Sequence, residues 1–161
     1  MTDKILDRKE LARRLDDLRR ERADLRVVFT NGCFDLVHVG HLRYLWEARK
    51  QGDLLVVAIN DDASVRRLKG PSRPILALTE RAAVMAGFAC VDFVTSFHED
   101  TPIELLKELR PNVLVKGANY SIDGVVGREL VEGWGGEIKT LRLVEGCSTT
   151  NMVEKVLALH A

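Results

Sequence analysis

The sequence lacks the features that mark several common classes of protein. Its three cysteines, Cys33, Cys90 and Cys147, include no CxxC pair, so neither a disulfide framework nor a zinc site is expected. No apolar run approaches the roughly 18 residues of a membrane-spanning helix, so no membrane insertion is expected. The 24 basic and 24 acidic residues leave no net charge, which argues against nucleic acid as a partner. The charged N-terminus, MTDKILDRKELARRL, lacks the apolar core of a signal peptide and favours a cytoplasmic location.

Two common phosphate-binding fingerprints are also missing. No GxxxxGK[ST] motif occurs, which excludes a P-loop enzyme, and no GxGxxG motif occurs, which excludes the usual dinucleotide fingerprint. No HExxH motif is present either, so a zinc site on a helix is not expected.

Apolar runs alternate with helical patterns along the whole chain. We predict one domain over residues 1–161, with an N-terminal helix within 1–25 and a core over 26–161. The predicted strands are Arg26–Thr30, Asp53–Ile59, Val91–Thr95, Asn112–Lys116 and Glu137–Leu143. The predicted helices are Asp7–Arg22, Val39–Gln51, Asp61–Leu68, Thr79–Gly87, Thr101–Leu109, Val125–Glu132 and Ser148–Leu159. Such alternation is typical of an α/β three-layer sandwich of Rossmann type, here with a five-stranded parallel sheet that binds ligands at the carboxyl ends of its strands.

The stretch FTNGCFDLVHVGH, residues 29–41, follows the first predicted strand. Gly32 allows a sharp turn and a close approach of a ligand to the backbone, and the next helix offers free amides suited to phosphate. His38 and His41 lie three residues apart, so they share one helix face and could donate hydrogen bonds to a phosphate. Ordinary helix-start histidines and a half-built metal site are the alternatives, although a metal site would need a further ligand.

Three other segments at predicted strand ends or nearby loops carry unusual residues. RRLKGPSRP, residues 66–74, holds four basic residues and no acidic one, and Arg81 follows on the next helix. It is either a solvated charged surface or a loop that closes over a polyanion. GCSTT, residues 146–150, either caps the last helix or also binds phosphate oxygens. Lys116, at the end of the fourth strand, is either a buried paired lysine or a ligand contact.

Together these segments resemble the cytidylyltransferase-like nucleotidyltransferases, a family with an HxGH motif. The motif reads His38-Val39-Gly40-His41, after Asn31-Gly32-Cys33-Phe34-Asp35 and with STT opening the last helix. One branch of this family acts on a heptose 1-phosphate in the lipopolysaccharide-core pathway. Three segments of this chain resemble segments of that branch, namely RRLKGPSRP, VLVKGANY and EGCSTTN. The likeness covers roughly residues 26–157. Asn119 stands where relatives often have an aspartate, which removes a charge.

The resemblance implies that ATP and a sugar 1-phosphate, here a heptose 1-phosphate, react to give an ADP-sugar and pyrophosphate. It implies catalytic roles for His38, His41 and Lys69. Contacts to the substrate phosphates are implied for Arg73, Arg81 and Asn60. Nucleotide binding is implied for Asn31, Gly32, Cys33, Phe34, Asp35, Gly40, Lys116, Gly117, Ser148, Thr149 and Thr150. Mg²⁺ is expected to accompany the triphosphate, with Asp35 an indirect partner at most and no metal ligand assigned.

Three other functions remain open from the sequence. A CTP-dependent enzyme of the same family would act on glycerol 3-phosphate or a related alcohol phosphate. A thiol hydrolase would use Cys33 as the nucleophile and His38 or His41 as the base. A nucleotide sensor would bind without catalysis. The charged helix Asp7–Arg22 either forms a contact between subunits of a homo-oligomer or faces water.

Overall fold

A sheet of parallel strands forms the centre of the fold. The computed structural model describes residues 2–117, 122–142 and 146–160, and five strands lie within them. The strands are β1 Val27–Gly32, β2 Leu54–Asn60, β3 Phe93–Phe97, β4 Val113–Gly117 and β5 Glu137–Leu141. All four neighbouring pairs are parallel, in the order β3-β2-β1-β4-β5, so the predicted five-stranded parallel sheet is confirmed.

Helices cover both faces of the sheet, which confirms the predicted three layers. They are α1 Arg8–Glu21, α2 Val39–Arg49, α3 Asp62–Lys69, α4 Leu78–Ala86, α5 Ile103–Leu109, α6 Arg128–Gly133 and α7 Thr149–His160, with short 3-10 turns at Thr2–Lys4 and Ile122–Gly124. On one face α2 and α4 bury side chains such as Leu45 and Met85. On the other face α1, α5 and α6 bury side chains such as Leu15, Leu106 and Val131.

The ends of several elements test the predicted caps. Asp7 accepts hydrogen bonds from the amides of Lys9 and Glu10, at 2.8 and 3.0 Å, so the predicted start of α1 is confirmed. The predicted cap at Thr79 is wrong, because α4 already begins at Leu78 and the Glu80 carboxylate accepts the Ala77 amide at 2.9 Å.

The starts of α5 and α6 also differ from the prediction. Thr101 does not cap α5, since the cap position is held by Pro102 without a side-chain hydrogen bond. Helix α6 starts at Arg128 and not at Val125, because Gly127 before it has a left-handed backbone with φ of 92°. The predicted end of the fifth strand at Leu143 lies outside the described residues, and β5 ends at Leu141 within them.

The ladder between β1 and β4 is short. It joins Val28 to Val113 and Phe29 to Leu114 and then stops, although both strands continue. Beyond that point the Tyr44 hydroxyl of α2 donates to the Val115 carbonyl at 3.1 Å and shares a 2.7 Å hydrogen bond with the Thr30 hydroxyl. Burial raises the pKa of Tyr44, so the phenol stays neutral. The strand order reverses here, and parallel sheets of this kind bind ligands at such a point.

Candidate active site

A cavity of about 610 Å³ opens at the carboxyl ends of the strands, where the loops after β1 to β4 meet the start of α7. Its wall includes nearly all of the residues that were predicted from the sequence. These are Asn31, Gly32, Cys33, Phe34, Asp35, His38, Gly40, His41, Asn60, Lys69, Arg73, Lys116, Gly117, Ser148, Thr149 and Thr150. The exception is Arg81. Segments that are far apart in the chain therefore converge on one site.

The two histidines are fixed by the first turn of α2. His38 is the N-cap residue, and its Nδ1 accepts the Gly40 amide at 3.1 Å, while Nδ1 of His41 accepts the His38 amide at 3.4 Å. The ring centroids lie 4.0 Å apart. A neutral imidazole whose Nδ1 accepts a hydrogen bond carries its proton on Nε2. Each ring can therefore donate an Nε2 hydrogen bond to a ligand in the cavity.

Gly40 is required by packing at the start of α2. A Cβ atom at this position would lie 2.9 Å from the His38 ring and 3.0 Å from the Cys147 Cβ. Such distances are too short for carbon atoms in contact. The glycine thus lets the segment before α7 approach the histidine turn.

Phe34 lies beneath the histidines in a strained backbone conformation. Its φ is 46°, a value that non-glycine residues rarely adopt, and strain of this kind concentrates at functional sites. The Phe34 ring is 5.5 Å from the His41 ring, and a Cβ at Gly32 would come within 3.2 Å of it. The buried Phe34 ring therefore packs against the His41 ring.

We expect both imidazoles to be neutral in the free protein at pH 7. Burial, with the nearby His38 ring, lowers the pKa of His41 from its ordinary 6.5 to about 4, and burial lowers the pKa of His38. As pH falls from about 6.5 towards 4, the unfolded chain binds more protons at His41 than the folded protein does, so the free energy of unfolding decreases. An NMR titration of the histidine Cε1 protons, with His41→Asn for assignment, should give a His41 midpoint below pH 5. A His41 midpoint near pH 6.5 would contradict the burial of its ring beside His38.

Asp35 holds the basic loop between α3 and α4, residues 70–77, against the loop between β1 and α2, residues 33–38, which is called the histidine loop below. The residue is 2 % exposed, and its carboxylate accepts the amides of Ile75 and Leu76, at 2.8 and 2.9 Å, and the Nε–H of Arg73. Burial alone would raise the pKa of Asp35, but the Leu76 and Ile75 amides and Arg73 outweigh it and lower the pKa. The expected nucleotide contact by Asp35 does not fit, because these partners occupy the carboxylate.

Arg81 lies behind the cavity wall, so the expected phosphate contact does not fit its position. Its side chain is fully buried and donates to the Cys33 carbonyl at 2.6 Å, the Leu76 carbonyl at 3.1 Å and the Asp62 carboxylate at 2.7 Å. These acceptors belong to the histidine loop, the segment before α4 and the first turn of α3. Arg81 therefore joins three parts of the site without facing the ligand.

Lys116 is a buried cation at the end of β4. Its Nζ donates to the side-chain and backbone oxygens of Asn31, at 2.5 and 3.3 Å, across the point where β1 and β4 no longer pair. Burial lowers the pKa of Lys116 to about 8. The interpretation as a buried, paired lysine is confirmed by the bonds to Asn31. Lys116 also lies on the cavity wall, and its contact with a ligand stays a prediction.

The remaining polar residues on the wall are held in different ways. Asn60, at the end of β2, donates to the Ser64 hydroxyl at 2.9 Å, whereas Lys69 is the exposed last residue of α3. Ser148 accepts the Asn151 amide at 3.0 Å, which confirms its capping role.

The neighbouring threonines at the start of α7 differ from each other. Thr149 donates to the Leu36 carbonyl at 3.0 Å and thereby ties α7 to the histidine loop. Thr150 is exposed on the wall.

Several residues on the wall were missed by the sequence analysis. They are Tyr44, Leu68, Asp100, Thr101, Pro102, Gly124, Val125, Val126 and Cys147. The group at 100–102 follows β3, and the general rule that ligands bind after parallel strands could have identified it. Its Thr-Pro pair was instead interpreted only as the start of a helix.

Among the described residues, no three histidine, cysteine or acidic side chains converge, and Asp35 already accepts hydrogen bonds from Arg73 and the Ile75 amide. No metal ligand is therefore assigned to the protein. Residue Asn119 lies outside the described residues, so the effect of its missing charge stays a prediction. None of the helices in the described part of the chain has the length and apolar character to cross a membrane.

Comparison with known proteins agrees with this geometry. The model of the cytidylyltransferase-like family matches residues 29–155. The bifunctional protein HldE of Geobacter sulfurreducens is 58% identical over 135 residues, which cover 84% of this chain and 28% of that protein. HldE of Ectopseudomonas mendocina is 61% identical over 131 residues, which cover 81% of this chain and 28% of that protein. This chain therefore spans less than a third of the length of these relatives.

Solved structures share the fold. A lipopolysaccharide core biosynthesis protein from Thermoplasma volcanium is 29% identical with a TM-score of 0.62, covering 74% of this chain and 97% of that one. A pantoate-beta-alanine ligase from Francisella tularensis is 14% identical with a TM-score of 0.60, covering 96% of this chain and 78% of that one, and shows the fold alone. The chain belongs to the cytidylyltransferase-like family and is a nucleotidyltransferase.

Proposed function

We propose that the protein transfers the adenylyl group of ATP to a heptose 1-phosphate, giving ADP-heptose and pyrophosphate for lipopolysaccharide-core synthesis. The observation that carries the proposal is the pair of neutral imidazoles, both with Nε2–H available, in a cavity that also contains Lys69 and Arg73. The name of the Thermoplasma protein, a lipopolysaccharide core biosynthesis protein, supports the lipopolysaccharide context. The heptose acceptor rests on the resemblance of RRLKGPSRP, VLVKGANY and EGCSTTN described above.

The chemistry requires positioning and charge stabilisation. A phosphate oxygen of the acceptor attacks the α-phosphorus of ATP, a new P–O bond forms, and the bond to the bridging oxygen of pyrophosphate breaks. Because the second pKa of a phosphate monoester is about 6, the nucleophile is already ionised and needs no general base. The Nε2–H groups of His38 and His41 stabilise the charge that develops on the α-phosphate oxygens.

The cations of the site have separate roles in this proposal. Lys69 and Arg73 bind the β- and γ-phosphates, and Asp35 and Arg81 hold the loop that carries Arg73 against the histidine loop. Lys116 lies near the base of the nucleotide. Mg²⁺ enters with ATP as part of the substrate, since oxygen-rich triphosphates bind it with few protein ligands.

The structure gives less support to a thiol hydrolase. Burial raises the pKa of Cys33, although Lys69, Arg81 and Arg73 act in the opposite direction, so the thiol stays protonated near neutral pH. The nucleophile in such an enzyme is the thiolate. The histidine Nδ1 atoms also accept backbone amides and are not available as bases for Cys33.

The proposed reaction is tested by mixing the purified protein with MgATP and heptose 1-phosphate. Pyrophosphate release should be accompanied by a product with the mass of ADP-heptose. Parallel reactions with CTP and with glycerol 3-phosphate should give much lower rates. Preference for CTP and glycerol 3-phosphate would replace the proposal with the alternative cytidylyltransferase, and nucleotide binding without any pyrophosphate release would favour the sensor.

A further inference from the structure

Two carboxylates lie on the wall of a cavity that is otherwise suited to phosphates, Asp35 and Asp100. Asp35 is occupied by its own loop, as described above. Asp100 is half-exposed, and its Oδ1 accepts the Nε–H of Arg67 at 2.8 Å and forms an ion pair with Nη2 of the same guanidinium at 2.7 Å. Its Oδ2 has no partner within the described residues. A free carboxylate oxygen repels a phosphate, so this part of the wall suits a different chemical group.

The sheet order separates this carboxylate from the nucleotide end of the cavity. Asp100 follows β3, whereas Lys116 closes β4, and these strands lie on opposite sides of β1. The histidine loop follows β1 and therefore lies between them. A ligand with its phosphate at the histidines can consequently extend towards Lys116 on one side and towards Asp100 on the other.

The segment 98–100 is fixed in place by its neighbours. Arg67 Nη2 donates to the His98 carbonyl at 2.8 Å, Ser64 donates to the Glu99 carbonyl at 3.3 Å, and Arg8 of α1 pairs with Glu99 at 2.7 Å. One arginine of the basic segment 66–74 is thus used to orient Asp100. Fixed acceptors bind a ligand at a lower entropic cost than mobile ones do.

We propose that Asp100 binds the hydroxyl groups of the acceptor sugar. Its Oδ2 accepts hydrogen bonds from the hydroxyls at the end of the sugar away from the reacting phosphate, with Thr101 and the apolar Pro102 next to it in the chain and on the same wall. The same charge disfavours an acceptor that carries a second phosphate at that end. This inference rests on the proposed function, because it assumes a sugar 1-phosphate as acceptor.

The test uses Asp100→Asn, which keeps the shape and removes the charge. KM for heptose 1-phosphate should rise about tenfold, the equivalent of one charge-assisted hydrogen bond weakened by about 1.4 kcal/mol. KM for ATP should stay within about twofold. Glucose 1,6-bisphosphate should inhibit the variant more strongly than it inhibits the wild type, because a repulsive charge is lost. The matched control is Glu104→Gln, an exposed carboxylate that pairs with Lys107 and lies off the wall.

The inference would be overturned if the KM values for heptose 1-phosphate and ATP changed equally, or if neither changed. It would also be overturned if glucose 1,6-bisphosphate inhibited the variant and the wild type equally. If the wild-type protein releases no pyrophosphate with any heptose 1-phosphate, the proposed function fails first. Binding of mannose 1-phosphate, measured by calorimetry with the wild type and Asp100→Asn, then decides about the subsite. Binding that weakens only in Asp100→Asn supports it, and equal or absent binding overturns it.

Discussion

His41→Ala is expected to lower kcat by about 10²–10³-fold while the fold remains intact, the usual cost of removing one donor that stabilises transition-state charge. The imidazole lies between the Phe34 ring and the His38 ring, and its Nδ1 accepts the His38 amide. Only Nε2–H is left for the substrate. Because the interaction grows as charge develops on the α-phosphate, the loss should appear in kcat much more than in KM for ATP.

Steady-state pyrophosphate release measures the activity of the variant. Thermal unfolding of the same samples shows whether a loss of activity is due to a loss of folding. His98→Ala is the matched control, since the His98 side chain is 75% exposed and does not line the cavity. It should retain the wild-type rate. A folded His41→Ala protein with nearly full activity would remove His41 from the proposed mechanism.

Asp35→Ala is expected to lower the free energy of unfolding by about 3–5 kcal/mol, the range for breaking a buried ion pair on one side. The substitution leaves the Arg73 guanidinium and the amides of Ile75 and Leu76 without their acceptor. The loop that carries Arg73 would also lose its anchor. KM for ATP should therefore rise in the protein that remains folded.

Urea unfolding provides the measurement, and Asp53→Ala provides the comparison. Asp53 also accepts one amide, from Arg26, and one arginine, Arg22, but its side chain is 28% exposed, so a clearly smaller loss is expected. The lowered pKa of Asp35 adds a pH signature: its stabilisation is complete above the ordinary value of 3.8 and disappears as pH falls through the lower folded value. Equal losses in the two variants at pH 7 would contradict the role of Asp35 as a buried anchor.

Features that depend on local patterns could be predicted from the sequence. Apolar runs such as Leu54–Asn60 are continuous because both faces of the sheet are covered, and this made the parallel sheet predictable. The histidine turn was also predictable, because its glycine, its helix start and its spacing lie within a few residues. The convergence of Lys116 and Ser148 on the same cavity followed from the rule for strand ends.

Features that depend on distant partners could not be predicted in this way. The sequence shows Arg81 as a cation near a basic loop, but its burial depends on carbonyls and a carboxylate up to 48 residues away. The partner of Asp35 lies 38 residues further along the chain. Both charges are used to hold the site together, and only the folded geometry distinguishes this use from contact with substrate.

The Tyr44 hydroxyl has a consequence for the mechanics of the site. It stands one helical turn after His41 and is bonded to both Thr30 and the Val115 carbonyl, so α2 is fastened to two strands of the sheet at once. The segment that carries Arg73 is in turn held against the histidine loop, through Asp35 and through the bond from Arg81 to the Cys33 carbonyl. The imidazoles therefore take their position from the sheet through α2, and Arg73 takes its position from the loop that carries the imidazoles. A single hydroxyl thus helps to align both groups of the site to one rigid sheet.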